Sequence, residues 1–325
     1  METESNLSVD TNKKRPALTW RGRSDRLAGR LFFIFSVIPV GLVLLIVVML
    51  VIKSWPLLKT HSLWLLLSGQ TWKPEEGFFG FWPFIAGTFW VTAAALGLAV
   101  PPSLLTAIYL SEYSSRTLRA LMKPLLDLLA AIPSVIYGVW GTLAIVPIIQ
   151  NNLIPFIRQY VGNIPLISSQ NSTGFGILAG GIVLAIMIMP FIIAVLYEIL
   201  DNVPRGLKEA SLGVGATRLQ TVRWAVLPKV LPGLVAGIVF GASRALGETM
   251  AVLMVVGNVA QTPHSLLDAA YPLPALIANN YGEMMSIPLY DSALMTSALI
   301  LLILILIFNI TSALILRRVL GRKWV

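Results

Sequence analysis

Long apolar stretches alternate with short polar ones along most of this chain, and six of them match the thickness of a bilayer. A spanning helix needs about 20 apolar residues. The predicted spans are Leu31–Ile52, Phe84–Leu110, Lys123–Ile148, Gly174–Leu200, Gly233–Gly257 and Ser292–Leu316. The expected fold class is an all-α polytopic membrane protein. Its parts are a polar tail (1–30), a plain greasy first helix at the periphery (31–52) and an extracytoplasmic loop (53–83). A core (84–316) with a cytoplasmic loop at 201–232 and a C-terminal tail (317–325) complete it. Little fixed structure is expected in the N-terminal tail. The later spans are less regular than the first. Pro101-Pro102 should kink span two, and Pro133 and Pro190 sit in spans three and four.

Composition supports the membrane reading: 56% of the 325 residues are hydrophobic and 12% are charged, against about a quarter in soluble proteins. Charge placement sets the orientation. Nineteen of the 24 Lys and Arg fall in four regions that an even number of spans puts on one side. They are the N-terminal tail, the segment Arg116–Lys123, the loop between spans four and five, and the C-terminus. The positive-inside rule then predicts that both termini are cytoplasmic. The net charge of +9 follows from this bias and gives no evidence for nucleic acid. Cysteine is absent and histidine occurs only at His61 and His264, so thiolate chemistry, disulfides and a histidine metal cluster are excluded. No metal, cofactor or catalytic residue is expected in this chain.

Arg244 and Glu248 stand out because they lie inside an otherwise apolar segment. A charge at the bilayer centre costs roughly 2.5–3.5 kcal/mol on insertion scales, so such residues mark functional sites by default. Their i, i+4 spacing would place both on one helical face, with Gly233, Gly237 and Gly241 in the same arc. Those glycines admit a neighbouring backbone closely. The alternative is a buried structural ion pair. In span three, Ser134, Tyr137, Gly138 and Gly141 share a face that either lines a pathway or serves close packing. Gly77-Phe78-Phe79-Gly80-Phe81-Trp82 reads as an interfacial aromatic belt. The loop Asn258–Asp291, with its apolar run Leu273–Ile277, either docks an external partner or caps the bundle.

The loop Asp201–Pro232 predicts a helix from Arg205 to Leu212, with Asn202 as its cap. A break at Gly213–Gly215 and a second helical stretch follow, ended by Pro228 and Pro232. It suits either a groove on a soluble protein or an anionic lipid surface. Glu209-Ala210-Ser211, then Gly215, then Ala225-Val226-Leu227-Pro228 resembles the EAA loop of bacterial ABC-importer permeases; Ser211 and Ala225 are mild departures. Ser243-Arg244-Ala245-Leu246-Gly247-Glu248-Thr249-Met250-Ala251-Val252 resembles the signature of the phosphate-transport permeases. Ile132–Gly141 and Ser111-Glu112-Tyr113 fit as well, and Met250-Ala251-Val252 is similar to the PstC-type subunit. The resemblance covers about Phe84 to Leu316.

It implies a type I, MetI-like permease bundle in a bacterial plasma (inner) membrane. The implied partners are a homologous PstA-type permease, a dimeric cytoplasmic ABC ATPase, an extracytoplasmic phosphate-binding protein and membrane lipid. Inorganic phosphate would be the cargo. Glu209, Ala210 and Gly215 would couple to the ATPase, while Arg244, Glu248, Ser134 and Tyr137 would line the pathway. Glu248 would pair with Arg244 when phosphate is absent. No Gly-x-x-x-x-Gly-Lys-[Ser/Thr] loop occurs, so ATP hydrolysis is expected in another chain. A permease for sulfate or molybdate is the alternative within the class. An ATP-independent channel or secondary carrier is the alternative outside it.

Overall fold

The computed structural model describes residues 20–161, 171–283 and 286–321. It resolves into a unit that ends at Met49 and a second from Leu50 onward. Helix α1 (Trp20–Thr60) begins well before Leu31. Arg, Leu and Ala, all good helix formers, continue the helix into the basic segment that was expected to be irregular. Up to Met49 its described apolar side chains are almost all exposed. A helix that is apolar all round and exposed is suited to lipid. The tail before Trp20, and the chain from residue 322, lie outside the described residues.

The second unit holds α2 (Leu63–Ser68), a hairpin of β1 (Trp72–Lys73) and β2 (Phe78–Phe79), and α3 (Trp82–Tyr113). They are followed by α4 (Arg116–Ala131), α5 (Ser134–Tyr160), α6 (Ile177–Asp201) and α7 (Arg205–Gly213). Last come α8 (Arg218–Leu246), α9 (Met250–Leu253), α10 (Leu273–Asn280) and α11 (Tyr290–Gly321). Six helices among the described residues have the length and apolarity to cross a membrane: Leu27–Thr60, α3, α5, α6, α8 and Tyr290–Arg317. α6 is the central one. Its Ile177, Leu184, Ile188, Ile192, Leu196 and Leu200 are fully buried, and it packs on α3, α4 and α8.

Two spans are displaced from their expected positions. The segment Lys123–Ile148 is not one helix. α4 ends at Ala131, Ile132 turns extended before Pro133, and α5 starts at Ser134. The residue before a proline is pushed out of the helical region, which makes the break. α4 is amphipathic, with its charges recurring at helical spacing. The fifth span is Arg218–Leu246 rather than Gly233–Gly257.

Prolines bend the ladder without ending helices. α3 runs through Pro101 and Pro102, and α6 runs through Pro190. α8 runs through Pro228 and Pro232, contrary to the expected stop. A wide π-helical turn at Thr221–Val226 precedes those two prolines, and another at Tyr109–Tyr113 follows the pair in α3. Such turns relax the hydrogen-bond register that proline disturbs.

The segments around the hairpin form a folded cap. Trp72 pairs with Phe79 across the hairpin, and Gly77 makes the turn at φ +79°. Gly80 lies against Gly69 so closely that a Cβ on it would sit 2.4 Å from the Gly69 carbonyl oxygen. Phe79, Phe81 and Phe84 are buried, and Trp72 stacks edge-on to Phe79 and Phe84 with centroids at 5.7 and 5.0 Å. The expected aromatic belt is therefore split: Phe79 and Phe81 are core, while Phe78 and Trp82 remain exposed. α10 buries Leu273, Ala275 and Leu276 in the same cluster, so this apolar run packs inward against the cap. The Gly176, Ile177 and Leu178 amides at the start of α6 donate to the Val255, Asp268 and Leu266 carbonyls. Loop backbone thus satisfies a buried helix N-terminus.

Candidate functional site

The glycine face of α8 meets α6. A Cβ on Gly233 would approach Ile199 at 2.9 Å, one on Gly237 would approach Val195 at 3.0 Å, and one on Gly241 would approach Ile192 at 2.6 Å. This contact brings α8 against the central helix and sets the position of Arg244 in its last turn.

Arg244 and Glu248 do not share a helix. α8 ends at Leu246, Gly247 to Thr249 form a break, and α9 restarts at Met250. Glycine and a β-branched threonine are poor helix formers, which weakens the ladder there. Arg244 is exposed, and its guanidinium lies 5.1 Å from the centroid of Phe191 on α6. Phe191 in turn contacts Phe240, with ring centroids 5.3 Å apart. Glu248 turns toward α9, where its Oε1 accepts the Ala251 amide at 3.5 Å. Among the described residues no ion pair joins Arg244 to Glu248, so the expected i, i+4 pairing is replaced by a stacked cation and a capping carboxylate.

Magnitudes show what the Arg244 environment leaves undone. A cation–π contact contributes about 0.5–2 kcal/mol. A charge at mid-membrane costs roughly 2.5–3.5 kcal/mol. The contact with Phe191 thus offsets only part of such a cost. Next to Arg244, Ser243 Oγ donates to Asn309 Oδ1 at 2.7 Å, tying α8 to α11. Asn309 is a polar residue inside an apolar span, and that signal was available in the sequence.

The stripe on α5 divides. Tyr137 is buried and its hydroxyl donates to the Leu129 carbonyl at 2.9 Å, bridging the Ile132–Pro133 break. Gly138 and Gly141 are packing positions: added Cβ atoms would meet Met254 Sδ at 2.7 Å and Val183 Cγ2 at 2.5 Å. Ser134 alone is half-buried at the start of α5. Tyr137 thus faces protein interior rather than an open path.

The loop after α6 carries the second constellation. Asn202 does not cap α7; its Nδ2 donates back to the Glu198 carbonyl at 2.8 Å and closes α6. α7 contains no buried residue, and Glu209, Ala210 and Gly215 are all exposed. Gly215 adopts φ +88°, a conformation that favours glycine and turns the chain back. Thr217 and Gln220 then form a capping box that starts α8. Val214 and Leu219 are exposed on the same loop, as is Trp224 in the first turns of α8. Lys208 Nζ reaches Glu112 Oε1 at 2.6 Å, and Ser211 Oγ lies 3.0 Å from Thr221 Oγ1.

Residues 99–324 match the family described as binding-protein-dependent transport system inner membrane component. The chain is 37% identical over 293 residues to the phosphate transport system permease protein PstC of Haemophilus influenzae, covering 89% of this chain and 90% of that one. It is 38% identical over 287 residues to the protein of the same name in Pasteurella multocida, covering 87% and 89%. Its fold is that of a chain in the inward-facing MetNI methionine ABC transporter, with a TM-score of 0.52 and 22% identity over 74% of this chain and 97% of that chain. The chain therefore belongs to the family of binding-protein-dependent transport system inner membrane components, alongside the PstC phosphate transport permeases.

Proposed function

We propose that this chain is a transmembrane permease subunit of an ATP-driven, binding-protein-dependent importer of inorganic phosphate, and that it forms half of the translocation pathway. Its similarity to the PstC permeases over nearly its whole length supports phosphate as the cargo. The observation that carries the half-pathway reading is Arg244, a guanidinium exposed at the end of a spanning helix and lying over the ring of Phe191. A homologous PstA-type permease covers that face and encloses the path. Both termini are cytoplasmic, which puts α7 on the ATPase side.

Arg244 supplies the cation, since guanidinium suits phosphate oxygens. Glu248, across the break, keeps the local potential from trapping the anion, because a transit site must also release. Ser134 offers a hydroxyl to the path, and Tyr137 supports the break that positions Ser134. Exposed α7, with Glu209 and Ala210 and the turn at Gly215, docks on a dimeric cytoplasmic ABC ATPase. An extracytoplasmic binding protein delivers phosphate to the outer cap. ATP is hydrolysed in the ATPase, not in this chain.

The test is radiolabelled phosphate uptake at micromolar concentration in cells with and without this chain, with sulfate as control. Selective loss of phosphate uptake in the deletion supports the cargo; loss of sulfate uptake alone would remove phosphate from the reading. Arg244→Gln is expected to abolish uptake while the complex still assembles.

A further inference from the structure

Resting on that reading, we infer that Glu112 and Lys208 form the strut that carries movement of α7 into α3. The Ser111-Glu112-Tyr113 segment lies in the wide turn that ends α3. Glu112 Oε1 accepts Lys208 Nζ at 2.6 Å, across 96 positions of sequence, and both side chains are partly buried, with 11% and 21% of their surface exposed. The same oxygen accepts Ser111 Oγ at 3.2 Å. One residue earlier, the Ser111 carbonyl accepts Arg119 Nη2 at 2.9 Å, and Arg119 Nη1 lies 3.6 Å from Asp201 at the end of α6. The turn is thus gripped from two sides, by α7 through Lys208 and by α4 through Arg119.

α7 needs such a strut because it buries nothing of its own. Among the described residues its side chains make two polar links: Lys208 to α3 and Ser211 to Thr221 in the first turns of α8. The Ser211 link passes motion to a segment that α7 already joins through the chain. The Lys208 link passes it to a helix far away in sequence. α3 is built to bend above this point, since Pro101 and Pro102 remove two consecutive amide donors from its ladder. The wide turn below them adjusts register without unfolding. A push on α7 therefore reaches the lower part of α3 as a rigid pull on Glu112, and the proline pair is where that part hinges. Glu112 and Lys208 are positioning residues; neither touches the cargo.

The experiment uses the reconstituted complex of both permeases, the ATPase and the binding protein. The variants are Lys208→Met, Glu112→Gln and the exchange Glu112→Lys with Lys208→Glu. Each single variant should retain the ATPase on purification and hydrolyse ATP within about twofold of the wild-type rate. Phosphate moved per ATP should fall at least tenfold, by analogy with loss of a buried charged hydrogen bond, and the exchange should restore at least half of it. Single variants that keep the wild-type ratio would overturn the strut, and so would an exchange that leaves the ratio as low as the singles. A second readout does not depend on phosphate. The chain has no cysteine, so a spin label on Leu105→Cys, an exposed site between the proline pair and the wide turn, reports α3 directly. ATP should change its spectrum in the wild-type background and the exchange, but not in the singles. A label that ignores ATP in every background also overturns the strut. A wild-type complex that moves no phosphate, yet shows the ATP-driven label change lost and restored as described, overturns the cargo and leaves the strut standing.

Discussion

The aromatic cap and helix α7 are both short segments between spans, but they are held by opposite means. The cap buries Phe79, Phe81, Phe84 and Leu273 around Trp72 and closes two glycines to contact. α7 buries none of its residues and is attached by side-chain polar groups at its edge. A well-packed aromatic core has one arrangement and resists change. A helix tied, among the described residues, by two side-chain polar links presents its surface outward. The difference places buried packing at one end of the molecule and polar attachment at the other.

Mutations at the two ends should therefore separate stability from transport. The largest loss is expected from Phe81→Ala, because Phe81 is fully buried in the cap. Removing a buried aromatic ring costs about 3–5 kcal/mol, so the protein should fail to accumulate in membranes or melt many degrees lower in a thermal assay. Normal accumulation and melting would show that the cap is not the stable end. Next is Tyr290→Phe. The Tyr290 hydroxyl donates to Asn280 Oδ1 at 2.8 Å, and Asn280 also donates to Tyr271. Loss of that bond should lower stability by about 0.5–1.5 kcal/mol, a small downward shift in melting with uptake nearly unchanged. The smallest effect on stability belongs to Glu209→Lys on exposed α7, within about 0.5 kcal/mol. Its phosphate uptake should nevertheless drop at least tenfold and ATPase co-purification should weaken. Full uptake in Glu209→Lys would mean that α7 only rests on the lipid surface.

Hydropathy places the second, fourth and sixth spans close to their observed ends, while the first helix runs on to Thr60 and the third and fifth spans are displaced by local breaks. Lys123–Ile148 and Gly233–Gly257 look continuous in sequence because their apolar content hides the turns at Ile132–Pro133 and Gly247–Thr249. The charge spacing Arg116, Arg119, Lys123, Asp127 was the available sign that α4 is a separate amphipathic helix. Pro228 and Pro232 read as stops, yet α8 runs through them beside the wide turn at Thr221–Val226, while α3 continues through the pair Pro101 and Pro102 that reads as a kink.

At the candidate site, the residues that matter were visible as types but not as partners. Arg244 in an apolar span, Glu209 to Gly215 in a basic loop, and glycines at every fourth position of α8 follow from composition and spacing alone. Those signals are local, since insertion energy and helical periodicity depend on neighbours within a turn or two. That Arg244 stacks on Phe191, that Glu248 caps α9, and that Lys208 meets Glu112 belongs to the tertiary structure. Each of these depends on packing between helices distant in sequence or on where a helix breaks. No one-dimensional period encodes which facing side chain fills the space.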